Sequence, residues 1–158
     1  MVKMPVQVME KFSHPDAVKF LATVDKEGKP NVVYMKSLIV WDEQTLIYAD
    51  AMGVKTKQNL QDTKKVAVSV FIPDKLICYQ LKGEFIGFKK SGPYYEKLSS
   101  LPEFKYNAYF GVRAAGIIKV KEVYSACVPL PGRRIAPPEP YTEESSAKIV
   151  WSSRRLDC

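Results

Sequence analysis

Six apolar runs, rich in β-branched residues and separated by short polar turns, constrain this chain more than anything else in it. They fall at residues 18–24, 31–41, 46–49, 65–72, 76–88 and 112–125. Asp25-Lys26-Glu27-Gly28, between the first two, has the length of a hairpin turn and ends in glycine. Asp42-Glu43-Gln44 and Pro73-Asp74 supply further turns. In residues 65–72, Val66, Val68 and Val70 alternate with Ala67, Ser69 and Phe71, the two-residue period of a strand. Residues 112–125 set Val112, Ala114 and Gly116 on one face against Arg113, Ala115 and Ile117 on the other. Residues 31–41 (NVVYMKSLIVW) are too continuously apolar for one wet face and read as a single long strand. Gly83 and Gly87 interrupt their run, as bulges do at barrel corners. Six strands at hairpin spacing, with helices between some of them, predict a small antiparallel barrel, mainly β within the α+β class.

Three helices are expected around it. Residues 5–12 carry Pro5 near the first turn and Val6, Met9 and Phe12 at helical spacing, and His14-Pro15-Asp16 ends them. His14 reads as a surface or hinge residue. Residues 91–101 read as a helix with Ser91 as N-cap, Pro93 early, and Tyr94, Tyr95 and Leu98 on its apolar side. Residues 104–110 are aromatic-rich, with Phe104, Tyr106, Tyr109 and Phe110; they read as a cover for a ligand or as core or dimer packing.

The third helix belongs to residues 46–62, LIYADAMGVKTKQNLQD, which read as a strand, a loose turn and a short helix. Gly53 permits the close backbone approach that an anion-binding loop needs. Lys55 and Thr56 fall in the first helical turn, where unpaired N–H groups and the positive end of the helix dipole favour an anion. An ammonium and a hydroxyl added there make a phosphate cradle. The plainer reading, solvated lysines at 55 and 57 with Thr56 as a cap, rests on the same spacing.

Composition narrows the field. Apolar residues make up 46% and charged residues 26%, ordinary for a globular protein. No apolar run approaches the ~20 residues of a membrane span. MVKMPVQVMEKF lacks a signal-peptide pattern, so the cytoplasm is the expected compartment. Cys78, Cys127, Cys158 and a lone histidine, His14, make a disulfide framework or metal centre improbable. The net charge of +7 favours anionic ligands. Residues 127–158 hold five of the eleven prolines and form a Pro-rich extension to a 1–126 barrel domain. The extension reads as a loose tail or as an arm packing on the barrel or a partner subunit, with Ile149-Val150-Trp151 anchoring its end.

The ordered signatures FLATVD (20–25), Gly28, Pro30, the strand at 31–40, Tyr48-Ala49-Asp50, then Lys55-Thr56 and Asn59-Leu60, and KVAVSVF (65–71) carry a resemblance. Residues 17–126 resemble the pyridoxamine 5′-phosphate oxidase-like family of FMN-binding split β-barrels, in the branch of small FMN-binding proteins and flavin reductase-like relatives. That likeness implies a six-stranded antiparallel split β-barrel of Greek-key type with short peripheral helices. It also implies a homodimer holding FMN between its subunits. By similarity, Val33, Tyr34, Met35 and Lys36 lie along the isoalloxazine and ribityl chain, and Tyr48, Ala49 and Asp50 continue the wall. Lys55 and Thr56 match the phosphate-holding positions, with Asn59 one turn further; Lys36 reaches the phosphate or the flavin's polar edge.

Two departures stand out. Val54 occupies the place of an arginine in the oxidases proper, and Cys78 that of a glutamine. The C-terminal Arg and His pair of the oxidases has no counterpart, because Trp151-Ser152-Ser153-Arg154-Arg155-Leu156 lacks the histidine. Pyridoxamine phosphate oxidation is therefore not expected. The leading expectation is an FMN-dependent oxidoreductase acting on a small redox substrate, with NAD(P)H as donor. Deazaflavin F420 is the alternative cofactor, and the lone distant histidine disfavours haem. Arg133 and Arg134 read as a solvated loop pair, or as holders of a second anion. A nucleic-acid-binding barrel is a second class, opposed by unclustered basic residues. A barrel without cofactor, serving as a binding protein, is a third.

Overall fold

In the computed structural model, described here over residues 2–105, 111–126 and 132–138, the polypeptide forms one mainly antiparallel sheet with short helices on its outside. The elements in order are α1 (Val6–Phe12), β1 (Val18–Val24), β2 (Pro30–Tyr34), β3 (Ile39–Asp42) and β4 (Thr45–Asp50). Next come α2 (Lys55–Thr63), β5 (Lys65–Ile72), a 3₁₀ turn (Pro73–Lys75), β6 (Ile77–Lys89), α3 (Pro93–Ser99), α4 (Pro102–Lys105), β7 (Ala114–Ser125) and β8 (Arg133–Ala136). The sheet order is β2-β1-β5-β6-β7-β4-β3, with β8 added beside β7. This is the antiparallel barrel that the turn spacing implied, in the split form that the resemblance added. No helix among the described residues is long and apolar enough to cross a membrane.

The strand count is eight rather than six, for two reasons. Residues 31–41 are not one strand: β2 ends at Tyr34 and β3 begins at Ile39. Between them the chain leaves one edge of the sheet and reaches the other. Met35 N–H donates to the Lys19 carbonyl at 2.8 Å, Leu38 N–H donates to the Met35 carbonyl at 3.2 Å, and Leu38 is fully buried. Continuous apolarity here reflects a buried crossing, not a strand covered on both faces. The second addition is β8, which pairs Arg134 with Tyr124 and Arg133 with Ser125. Arg133 and Arg134 thus lie on a strand, not in a solvated loop.

Two smaller corrections follow from packing. Helix α1 buries Val8 and Phe12 while Val6 stays 66% exposed, so its inner stripe runs i, i+4 from the buried Met4. Helix α3 starts from Gly92 at φ 87° with Pro93 in its first turn, and no side chain caps it, so Ser91 is not the N-cap. The expectations for residues 106–110, for the tail from 139 onward, and for Cys127 and Cys158 lie outside the described residues.

All six residues of β4 are buried, because both its faces are covered. Leu46 and Tyr48 turn into the main core with Leu21, Val68, Leu81, Phe85 and Ile118. Ile47 and Ala49 turn outward under Leu98 of α3, where Tyr94, Tyr95 and Phe104 also pack. Opposite Tyr48 in the ladder stands Gly116, where a Cβ would overlap the tyrosine ring. The glycine expectation for β6 also holds: its register with β7 shifts at Lys82/Gly83 and at Phe85/Gly87.

Candidate functional site

β2 and β3 occupy opposite ends of the sheet order, and the crossing between them packs on the end of β4 to form a seam. At that seam lies a cavity of about 690 Å³, within the ~300–1,000 Å³ typical of small-molecule sites. One wall is Val33 to Ser37 from β2 and the following turn; the other is Tyr48, Ala49 and Asp50 at the end of β4. Loop residues Ala51, Met52 and Gly53 lead to Thr56, while Glu103 and Phe104 close a further side. Ala49 directs its backbone to the seam, its N–H donating to Ser37 Oγ at 3.1 Å.

Of the ten residues singled out by sequence, eight border this cavity: Val33, Tyr34, Met35, Lys36, Tyr48, Ala49, Asp50 and Thr56. Lys55 and Asn59 do not. Lys55 is exposed at the start of α2. Asn59 is buried, and its amide donates to Thr23 Oγ1 at 3.0 Å. Thr56 Oγ1 in turn accepts from Asn31 Nδ2 at 3.2 Å. These two bonds pin α2 onto β1 and β2, so Asn59 braces the helix from behind.

Tyr34 and Tyr48 differ in kind. Tyr34 is 58% exposed, with its ring edge-on to Phe20. Tyr48 is packed in the core, edge-on to Phe88 and over Gly116, and burial, then the neighbouring Asp50 charge, push its phenol well above the ordinary tyrosine range. Its ring is packed as structure, and the residue also borders the cavity.

The start of α2 is open. No side chain caps it, and its first turn holds no acidic residue. Lysines 55 and 57 sit instead where the helix dipole disfavours cations. An anion seated on the free N–H groups reverses that penalty. Nearby, Asp50 is 3% exposed; its Oδ1 accepts from Arg113 Nη2 at 3.3 Å and its Oδ2 faces Lys57 Nζ at 3.6 Å. The buried carboxylate thus lies between two cations and anchors them by charge.

Behind the wall, Lys19 is buried and donates to the Phe12 carbonyl at 3.3 Å, closing the end of α1. Burial lowers its pKa; Glu103 opposes that shift and Lys36 adds to it. Cys78 lies on β6 within 3.6 Å of Ser69 Oγ and does not border the cavity. No cluster of metal-ligating side chains occurs among the described residues.

Sequence reasoning missed Ser37, Glu103 and Arg113. Ser37 was hidden inside an apparent strand. Arg113 meets Asp50 from 63 residues away, a pairing that only the β4–β7 ladder creates.

Comparison with known proteins agrees with this architecture. An uncharacterized protein of Methanocaldococcus jannaschii is 29% identical over 110 residues, covering 68% of this chain and 72% of the relative. The HupZ protein of Group A Streptococcus superposes with a TM-score of 0.68 at 25% identity, over 82% of this chain and 99% of that one. An FMN-binding protein from Syntrophomonas wolfei subsp. wolfei shares the fold, with a TM-score of 0.64 at 19% identity over 77% and 88% of the two chains. The family described as pyridoxamine 5′-phosphate oxidase matches residues 7–126, and to that family the chain belongs.

Proposed function

We propose that the seam cavity binds FMN and that the protein is a flavin-dependent oxidoreductase acting on a small molecule, with NAD(P)H as electron donor. One observation carries this reading. A helix with no cap, and with lysines where its dipole disfavours them, opens onto a largely apolar cavity of flavin-compatible size. The fold shared with an FMN-binding protein supports it.

The residues fit the group in a definite division of labour. Val33, Met35 and Ala49 form an apolar wall that excludes water from a flat ring system. Lys55 and the first N–H groups of α2 hold the phosphate by charge-assisted bonds, with Thr56 at the same helix turn. Lys36 supplies a further cation at the rim. Asn59 acts through α2, by keeping its first turn in place. A bound flavin supplies hydride and single-electron transfer; the chain supplies orientation, charge and access.

The proposal includes a cytoplasmic homodimer. Phe20, Val32 and Tyr34 are 37%, 62% and 58% exposed on one face of β1 and β2, and Tyr34 also borders the cavity. An apolar patch continuous with a ligand site is a fitting place for a second copy.

The test is an absorbance spectrum of the purified protein followed by titration with FMN, riboflavin and F420. FMN is expected to bind most tightly, and Lys55→Ala to weaken it by about 2 kcal/mol, roughly 30-fold in Kd. Tighter binding of F420 would reassign the cofactor, and no uptake of any of the three would overturn the reading.

A further inference from the structure

We propose that Arg113 and Asp50 form a latch that holds the 50–54 loop in its anion-gripping shape, with Arg113 the positioning residue. The idea rests on the flavin reading for its ligand but on separate contacts for its mechanism. Arg113 closes the loop at both ends. Its backbone N–H donates to the Asp50 carbonyl at 2.8 Å, and its Nη2 donates to Asp50 Oδ1 at 3.3 Å and to the Gly53 carbonyl at 3.1 Å. The carboxylate so held also faces Lys57, in the first turn of α2. A Cβ at Gly53 would stand 3.1 Å from Asp50 Oδ1, so the loop packs directly on that oxygen.

Little else holds the loop. Met52 and Val54 are 65% and 78% exposed, so its own large side chains give it no apolar anchor. Its shape depends on one polar junction shared by the end of β4, the loop and α2. The junction also sets the local charge. Lys55, Lys57 and Arg113 against Asp50 leave a net +2 (three cations less one carboxylate), opposite to the −1.5 to −2, roughly, of a phosphate monoester at pH 7.

The experiment pairs amide hydrogen exchange with flavin titration, on the full chain and its Arg113→Ala and Arg113→Lys variants. Lysine keeps Asp50 paired should the alanine variant fold poorly, but it is too short to reach the Gly53 carbonyl as well. The N–H groups of Gln58 and of residue 113, which bond the Val54 and Asp50 carbonyls, are expected to exchange at least tenfold faster in both variants, with the sheet unchanged. The FMN dissociation constant is expected to rise tenfold or more in the alanine variant and less in the lysine variant. That for riboflavin, which lacks the phosphate, should stay within twofold. Unchanged exchange at Gln58 and residue 113 would overturn the latch whatever the flavin data. Equal weakening of FMN and riboflavin would also overturn it, by making Arg113 a support of the whole cavity. A wild-type protein that takes up neither flavin would sink the cofactor reading alone, leaving the exchange data to decide the latch.

Discussion

Tyr48 illustrates how one side chain can be wall and core at once. The residue borders the cavity while its ring lies over Gly116. Because the native state keeps its phenol protonated above the ordinary value of 10.0, the folded chain binds more protons than the unfolded chain above that pH. Stability is therefore full below about pH 10 and falls as pH rises beyond it. Tyr48→Phe should remove this alkaline loss, seen as a higher urea midpoint at pH 10.5 and a nearly unchanged one at pH 7. Asn59 makes the companion case. Asn59→Ala removes the shorter of the two amide bonds to Thr23 Oγ1 and loosens α2, so a loss of about 1–2 kcal/mol is expected in urea unfolding. That Lys55 and Thr56 open a helix was legible from spacing alone, because the signals of a helix start are local. Asn59 was legible as a neighbour of that turn but not as its brace, since its partner Thr23 lies 36 residues away.

At the level of elements, the ladder between β4 and β7 is the most constrained contact. Gly116→Ala places a methyl group into the Tyr48 ring, and overpacking of this kind costs about 1–3 kcal/mol, measurable by chemical denaturation. The turn before β6 predicts the opposite sign. Leu76 sits at φ 49° and is 69% exposed, so it pays backbone strain with little packing in return. Leu76→Gly should stabilise by about 0.5–1 kcal/mol, the αL penalty relieved less the entropy of glycine. Most strands were readable because turn residues and two-residue alternation are local signals. The break between β2 and β3 was not, because the buried crossing at Ser37 and Leu38 is as apolar as a strand. Strand β8 was hidden for the converse reason: its flanking prolines disguise a short segment that gains its order from pairing with β7.

Across the whole molecule, charge and exposed apolar surface point in one direction. The excess of +7 is distributed without a basic block, while Val32 and Tyr34 leave an apolar face beside the cavity. Val32→Lys, at the exposed centre of that face, should convert the proposed homodimer into monomers in sedimentation and weaken the proposed FMN binding together with it; a dimer retained in the variant would rule out this face as its interface. Fold class was recoverable from sequence at this scale because hairpin spacing leaves few topologies open. The site was recoverable only in part, since its two walls meet through the sheet order, which no local pattern encodes.

That order has a mechanical consequence. The strands at the two free margins, β2 and β3, are consecutive in the chain and tied covalently by the four residues 35–38, and the pocket lies between that tie and the end of β4. A molecule lodged there would act as a stitch from the crossing to β4. Heating should therefore open this junction before the β5–β6–β7 staves part, and a ligand that spans it should make the two events merge into one.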